Sequence, residues 1–191
     1  MAYVGLRFAV AAQIDTEVSG QPVTYKPGKV LGKLRNCNIS YERSDAEMYA
    51  DDALCESDNS IVGGSTSFEL AGMTDEVRAY LFGQKTSGAD GEYVETSQPA
   101  PWCGFGYIRG LSNAGVTSFE AYWVYKVQHA TGDETANTKE KSTSFSGVPV
   151  TGKMAGVVQS ASMDIEWRVH KTFSDYASAV AWLKGKAGIA A

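Results

Sequence analysis

The chain is short of several things, and each shortage removes a class of function. Of 191 residues only two are histidine and three are cysteine, too few and too scattered for a zinc or iron centre. Cys37, Cys55 and Cys103 are odd in number and widely spaced. Without an export signal they are expected to be free thiols in a reducing compartment. Lys and Arg total 17 against 22 Asp and Glu, a net charge of −5. No basic surplus exists to grip phosphates. The longest uncharged stretch, residues 96–108, is 13 residues and carries two prolines, short of the ~20 apolar residues of a membrane span. No basic segment leads into an apolar run near the N-terminus, so no signal peptide is expected and the chain reads as soluble.

What is present describes a folded domain. Hydrophobic residues are 43%, aromatics 11% and charged residues 20%, the reverse of a disordered composition. A chain of this length buries a core without help from disulfides or metals. With no internal repeat and no linker, residues 1–191 are expected to form a single domain. The acidity is local: residues 42–58 hold seven acids and one base, so the rest of the chain sums to +1.

The dominant hydrophobic period is two. Between Gly5 and Ile14, Leu6, Phe8, Val10, Ala12 and Ile14 alternate with Arg7, Ala9, Ala11 and Gln13. Between Ser118 and Gln128, Phe119, Ala121, Trp123, Tyr125 and Val127 share one predicted face, opposite Glu120, Tyr122, Val124 and Lys126. Ile165, Trp167 and Val169 alternate with Glu166, Arg168 and His170. Each pattern predicts a half-buried strand, with further strands at 34–42, 64–71, 102–109, 142–148 and 154–162. The fold class expected is mainly β, two packed antiparallel sheets of sandwich or barrel type, flanked by one or two short helices. Thr74 is placed to cap a helix through Phe82, stopped by Gly83, with Val77, Tyr80 and Leu81 on one side. Ser174 is placed to cap a second, with Tyr176, Ala177, Val180 and Leu183 at helical spacing before Gly185.

Two segments read as long loops, 43–63 and 131–141, and long loops in compact domains are functional or ordered by a partner. No reaction emerges elsewhere. Gly104-Phe105-Gly106 with Gly110 has the wrong spacing and context for a dinucleotide loop. Small residues there are expected to admit an aromatic ring or another backbone. Cys103 with His129 or His170 lacks any nucleophile signature. Asp51, Asp52, Glu56 and Asp58 do not match the calcium-loop spacing, and an acidic interaction surface is the better reading. Asn38-Ile39-Ser40 is a glycosylation triplet with no secretion to give it meaning. The expectation is an assembly protein, not an enzyme, with no cofactor and no metal.

The order of segments carries a resemblance. Val4-Gly5-Leu6-Arg7 opens the chain, and Met48-Tyr49-Ala50-Asp51-Asp52 precedes the helix ending at Leu81-Phe82-Gly83. Pro101-Trp102-Cys103-Gly104-Phe105-Gly106-Tyr107 precedes Tyr122-Trp123-Val124-Tyr125-Lys126-Val127, and a helix over 177–183 closes the chain. Across its whole length this resembles the major tail protein (tail tube protein) family of long, non-contractile-tailed phages of Gram-positive bacteria. It departs at Trp102-Cys103, where a β-branched residue is expected.

The resemblance implies hexameric rings stacked into a hollow virion tail tube, assembled in the bacterial host cytoplasm, through which DNA passes without specific binding. Its implied partners are further copies of itself, the tape measure protein, and tail terminator and distal tail or baseplate proteins, with no membrane. On this reading Met48, Tyr49, Asp51, Asp52, Glu56 and Asp58 lie in an inter-subunit loop, with Met48 and Tyr49 as apolar anchors. Extended, the 43–63 segment would span up to ~60–70 Å. Asp133, Glu134, Lys139, Glu140 and Lys141 lie in a stacking loop expected to order on assembly. Two alternatives stand beside it. One is the tube of a contractile tail, tail-derived bacteriocin or type VI-like system. The other is a carbohydrate-binding β-sandwich module using Trp102, Trp123 and Tyr107 as platforms.

Overall fold

In a computed structural model, the structure describes residues 2–87, 91–113, 115–133 and 147–190. Its first strands are β1 (Ala2–Thr16), β2 (Thr24–Tyr25), β3 (Lys29–Gly32) and β4 (Leu34–Arg43). Next come β5 (Ala46–Ala50), β6 (Ala53–Asp58), β7 (Ile61–Leu70), α1 (Asp75–Phe82), β8 (Lys85–Ser87) and β9 (Glu92–Val94). The second half holds β10 (Trp102–Asn113), β11 (Val116–Thr131), β12 (Val148–Met154) and β13 (Val157–Val158). β14 (Ile165–Glu166), β15 (Arg168–Phe173) and α2 (Tyr176–Lys186) complete it. The protein is mainly β, with two short helices among the described residues. Neither helix is long and apolar enough to cross a membrane.

Local chemistry sets the helix ends. Thr74 Oγ1 accepts from Val77 N, and Gly83 ends α1 in the left-handed region at φ 70°. For α2 the cap is Asp175, whose carboxylate accepts from Ser178 N at 2.8 Å, one residue beyond the expected Ser174. The helix also runs through Gly185. Its stop is Gly188 at φ 63°, where Gly188 N bonds Gly185 O and Ile189 N bonds Lys184 O.

One antiparallel sheet dominates, in the order β2-β1-β10-β11-β12-β7-β4, with β3 also on β1 and β15 also on β11. β11 serves two neighbours: residues 119–124 pair with β15, and residues 127–131 pair with β12. β3 and β4 are separated by Lys33 alone, after Gly32 at φ 126°, a conformation open to glycine. β3 pairs with β1 while β4 pairs with β7. The sheet therefore curls until its ends meet at this corner, as two packed sheets joined at an edge.

Its two faces carry separate cores. Inside the curl lie Ala9, Ala11, Leu31, Phe68, Leu70, Phe105, Tyr107, Tyr122, Val124, Val127, Val150 and Met154, capped by Val77 and Leu81 of α1. On the other face Val10, Ala12, Ile108, Ala121, Trp123 and Tyr125 pack beneath Ala179, Leu183 and Ala187. β1, β10 and β11 are thus covered on both sides. The expected alternation of apolar and polar faces fails there, and Tyr122 and Val124, assigned to the solvent face, are buried.

Bulges also reverse the expected faces. A register shift between Arg7 and Val10, with Phe8 at φ 52°, puts Leu6 inside while Phe8, Val10, Ala12 and Ile14 go under α2. A second, where Cys103 and Phe105 oppose Val127 and Val124, separates Val127 from Tyr125. The expected strand at 164–171 breaks at Trp167, which packs inside, while Val169 packs under α2 and Ile165 is exposed. The strand expected at 154–162 lies instead at 148–154, followed only by the two residues of β13. Residues 142–146 of the other expected strand lie outside the described residues.

The glycines of β10 are spacers for these cores. A Cβ on Gly104 would run into the Trp123 indole, and one on Gly106 would meet Leu183 Cδ2 at 2.7 Å and Trp123 Cε3 at 2.9 Å. At Gly110 the Val4 carbonyl occupies that place. These approaches match the role expected of the glycines.

Candidate assembly surfaces

The acidic segment is not an irregular loop. The β4–β7 ladder runs out to Arg43 opposite Ile61, continues through Ser44 N to Ser60 O at 2.8 Å, and becomes the β5–β6 hairpin. Asp51 and Asp52 form its turn with φ 53° and 59°. Two consecutive left-handed residues define the hairpin turn that matches strand twist, and aspartate is among the few side chains that tolerate it. The expectation of a 43–63 loop is corrected because this ladder folds the segment back on itself. Eight residues from Arg43 to the tip, at ~3.3 Å each, give a projecting arm about 26 Å long, not the 60–70 Å of an extended chain.

Every residue from Asp45 to Ser60 is exposed. Met48, Tyr49 and Leu54 are 53%, 63% and 51% exposed. Tyr49 Oη donates to Glu47 Oε2 at 2.6 Å, and that bond raises the phenol above its ordinary range. Asp58 accepts from Ser60 N at 2.9 Å and is held below the usual carboxylate range. Asp51, Asp52 and Glu56 project without an ion pair among the described residues. Residues 44–60 contain six acids and no base. A two-stranded ribbon is marginal alone in water, and one carrying exposed apolar residues and unbalanced charge gains from a partner.

Two strand edges are also open. β15 pairs with β11 and, among the described residues, has no neighbour on its outer side. Residues 2–7 of β1 pair with β10 alone, since β3 and β2 take β1 further along. These edges border one four-stranded stretch, β1-β10-β11-β15, in which every pairing is antiparallel. Among the described residues β4 pairs with β7 alone.

Between β4 and this stretch lies a cluster that sequence reasoning did not identify. Arg109 Cζ lies 3.5 Å from the Tyr3 ring centroid and 5.1 Å from that of Tyr122. Arg168 Cζ lies 5.1 Å from Tyr122 and 5.4 Å from Tyr41. Glu120 is occupied by the Tyr122 hydroxyl and lies 3.8 Å from His170 Nε2. Neither guanidinium has a carboxylate partner among the described residues, and Arg109 Nε is buried without an acceptor. Only the strand register, which sets Arg109 opposite Glu120 and Tyr122 opposite His170, makes this cluster visible.

The outer face of β4, β7 and β12 is polar. Asn36, Asn38 and Ser40 align with Glu69, Ser67 and Ser65, and these with Pro149, Thr151 and Lys153. A trough of about 710 Å³ lies over β7 and β12, walled by residues such as Phe82, Gln84, Glu95 and Pro99.

The remaining candidates resolve simply. Asp133 is exposed just past β11; Glu134, Lys139, Glu140 and Lys141 lie outside the described residues. Cys103 is buried and its thiol is pushed up to about 12, with its sulfur on the Pro101 carbonyl. His129 is buried edge-on against Phe68 and Phe105, both ring nitrogens unpartnered, so it is no base for Cys103. His170 is exposed on β15. Of the aromatic platforms required by a carbohydrate module, Trp123 and Tyr107 are 0% and 3% exposed. No protein-family model matches the chain, and no curated protein matches it.

Proposed function

We propose that the chain is the structural subunit of a phage-type tail tube, joining copies head to tail into hexameric rings that stack around a DNA passage. One observation carries the reading: the β1-β10-β11-β15 stretch ends in two open edges of opposite direction. β15 of one copy can continue antiparallel onto residues 2–7 of the next. An edge is a template for pairing, and a head-to-tail contact whose rotation closes makes a ring.

The other surfaces suit the same assembly. The projecting arm reaches beyond its own domain to a neighbouring protomer or ring, with Met48 and Tyr49 as apolar contacts. The Asn, Ser and Thr face of β4-β7-β12 holds Glu42, Glu69 and Lys153, with Arg35 Nη1 paired to Glu69 at 2.6 Å. Such a wetted, nearly neutral wall lets duplex DNA slide, whereas a basic wall would release counterions and adhere. The reading places the chain in a virion tail assembled in the bacterial host cytoplasm, contacting the tape measure protein and the proteins that end the tube.

Mass photometry and negative-stain microscopy of the purified chain at rising concentration test this reading. Rings or tubes of uniform bore are expected. A chain that stays monomeric at every concentration refutes it.

A further inference from the structure

We propose that the Asp51–Asp52 turn of one copy docks on the Arg109–Arg168 pair of a second copy, an interface that rests on the assembly reading above. The tyrosine rings occupy the faces of both guanidiniums. Stacking leaves the in-plane N–H donors uncommitted. Arg109 is half-buried and Arg168 exposed, and neither guanidinium has a carboxylate partner among the described residues. Carboxylate is the group whose two oxygens match the guanidinium fork. Glu120, the nearest acid in sequence register, is already held by Tyr122.

The missing acceptors are on the arm, which has six acids and no base within residues 44–60. Its own turn is out of reach. Arg168 lies beside Tyr41, two residues before the point where the arm leaves the body, and the β5–β6 ladder holds the tip about 26 Å away. The carboxylates therefore come from another molecule. Charge favours this pairing, because the body without the arm is net positive. Lys171 on the same open strand adds to the attraction. Exposed Tyr3 and Val4, at 62% and 58%, give Met48 and Leu54 an apolar surface at the rim.

Charge exchange tests the docking. Asp51→Lys/Asp52→Lys reverses the arm, and Arg109→Glu/Arg168→Glu reverses its receptor. Sedimentation and mass photometry read the concentration at half assembly. Each variant alone is expected to raise it about tenfold or more, because like charges then oppose. An equal mixture should restore assembly, since lysine arms meet glutamate receptors while native arms meet native receptors. If the Arg109 change abolishes the wild-type thermal transition, Arg168→Glu alone, at an exposed position, replaces it. Either folded variant assembling at the wild-type concentration, or a mixture no better than its parts, overturns the docking and leaves the tube reading standing. A wild-type chain that never assembles overturns both.

Discussion

Protonating His129 should destabilise this protein from within. The ring sits edge-on to Phe68 and Phe105, with centroids at 5.5 and 5.7 Å, and neither nitrogen has a hydrogen-bond partner. Burial disfavours the charged form and lowers the pKa from 6.5 to about 4. In the unfolded chain the imidazole takes its proton near 6.5; in the folded chain it resists until about 4. Between those values the unfolded state binds more protons, so stability falls as pH falls. Above 6.5 both states are neutral, below 4 both are charged, and the dependence vanishes. About 2.5 units at ~1.36 kcal/mol each amount to roughly 3 kcal/mol, a large part of the ~5–15 kcal/mol of a typical domain. Asp58 and Asp175 are held below the ordinary carboxylate range, outside this window. Urea unfolding followed by tryptophan fluorescence at pH 4 to 7.5 should show the loss in the wild type. His129→Leu, of similar volume, should shift stability by a constant and remove most of the slope. Parallel pH curves for the two proteins would refute the assignment.

Two further outcomes follow from the core. Gly104→Val drives a branched side chain into the Trp123 indole and should destabilise the chain by about 1–3 kcal/mol or more in urea unfolding; an unchanged midpoint would mean the indole is not held there. Thiol labelling of the native protein should modify Cys55 rapidly and spare the other two, because Cys55 is exposed while burial pushes Cys37 and Cys103 to about 12. Mass spectrometry before and after denaturation reads one modification and then three, and early labelling of Cys103 would contradict its burial.

Local chemistry made much of the fold legible in the sequence. Thr74 and Gly83 mark α1 because a cap and a left-handed stop depend on neighbours a few residues away. β4 and β7 follow period-two patterns because a strand buried on one face needs nothing more. The start of α2 moved by one residue because Ser174 and Asp175 are both good caps, and only the folded helix selects the one that reaches Ser178 N. The Met48-to-Asp58 candidates were legible as an acidic segment, but not as a ribbon. Its acidity resembles a loop, and the ladder that straightens it begins in strands 18 or more residues apart.

Tertiary structure decided the rest. Whether Tyr122 faces solvent depends on which layers cover β11, and α2 and β7, more than 100 residues apart in sequence, belong to the cores on its two faces. Bulges that move Leu6 and Val127 across the sheet arise from matching strands to partners, not from either strand alone. The Arg109 and Arg168 cluster gathers residues from β1, β4, β10, β11 and β15, and no spacing along one strand encodes it. The sequence by itself determined where the main strands and both helices lie and how α1 ends, because those energies are local. Which faces are buried, which edges stay open and which charges lack partners were determined by layers and registers that exist only once the sheet has closed.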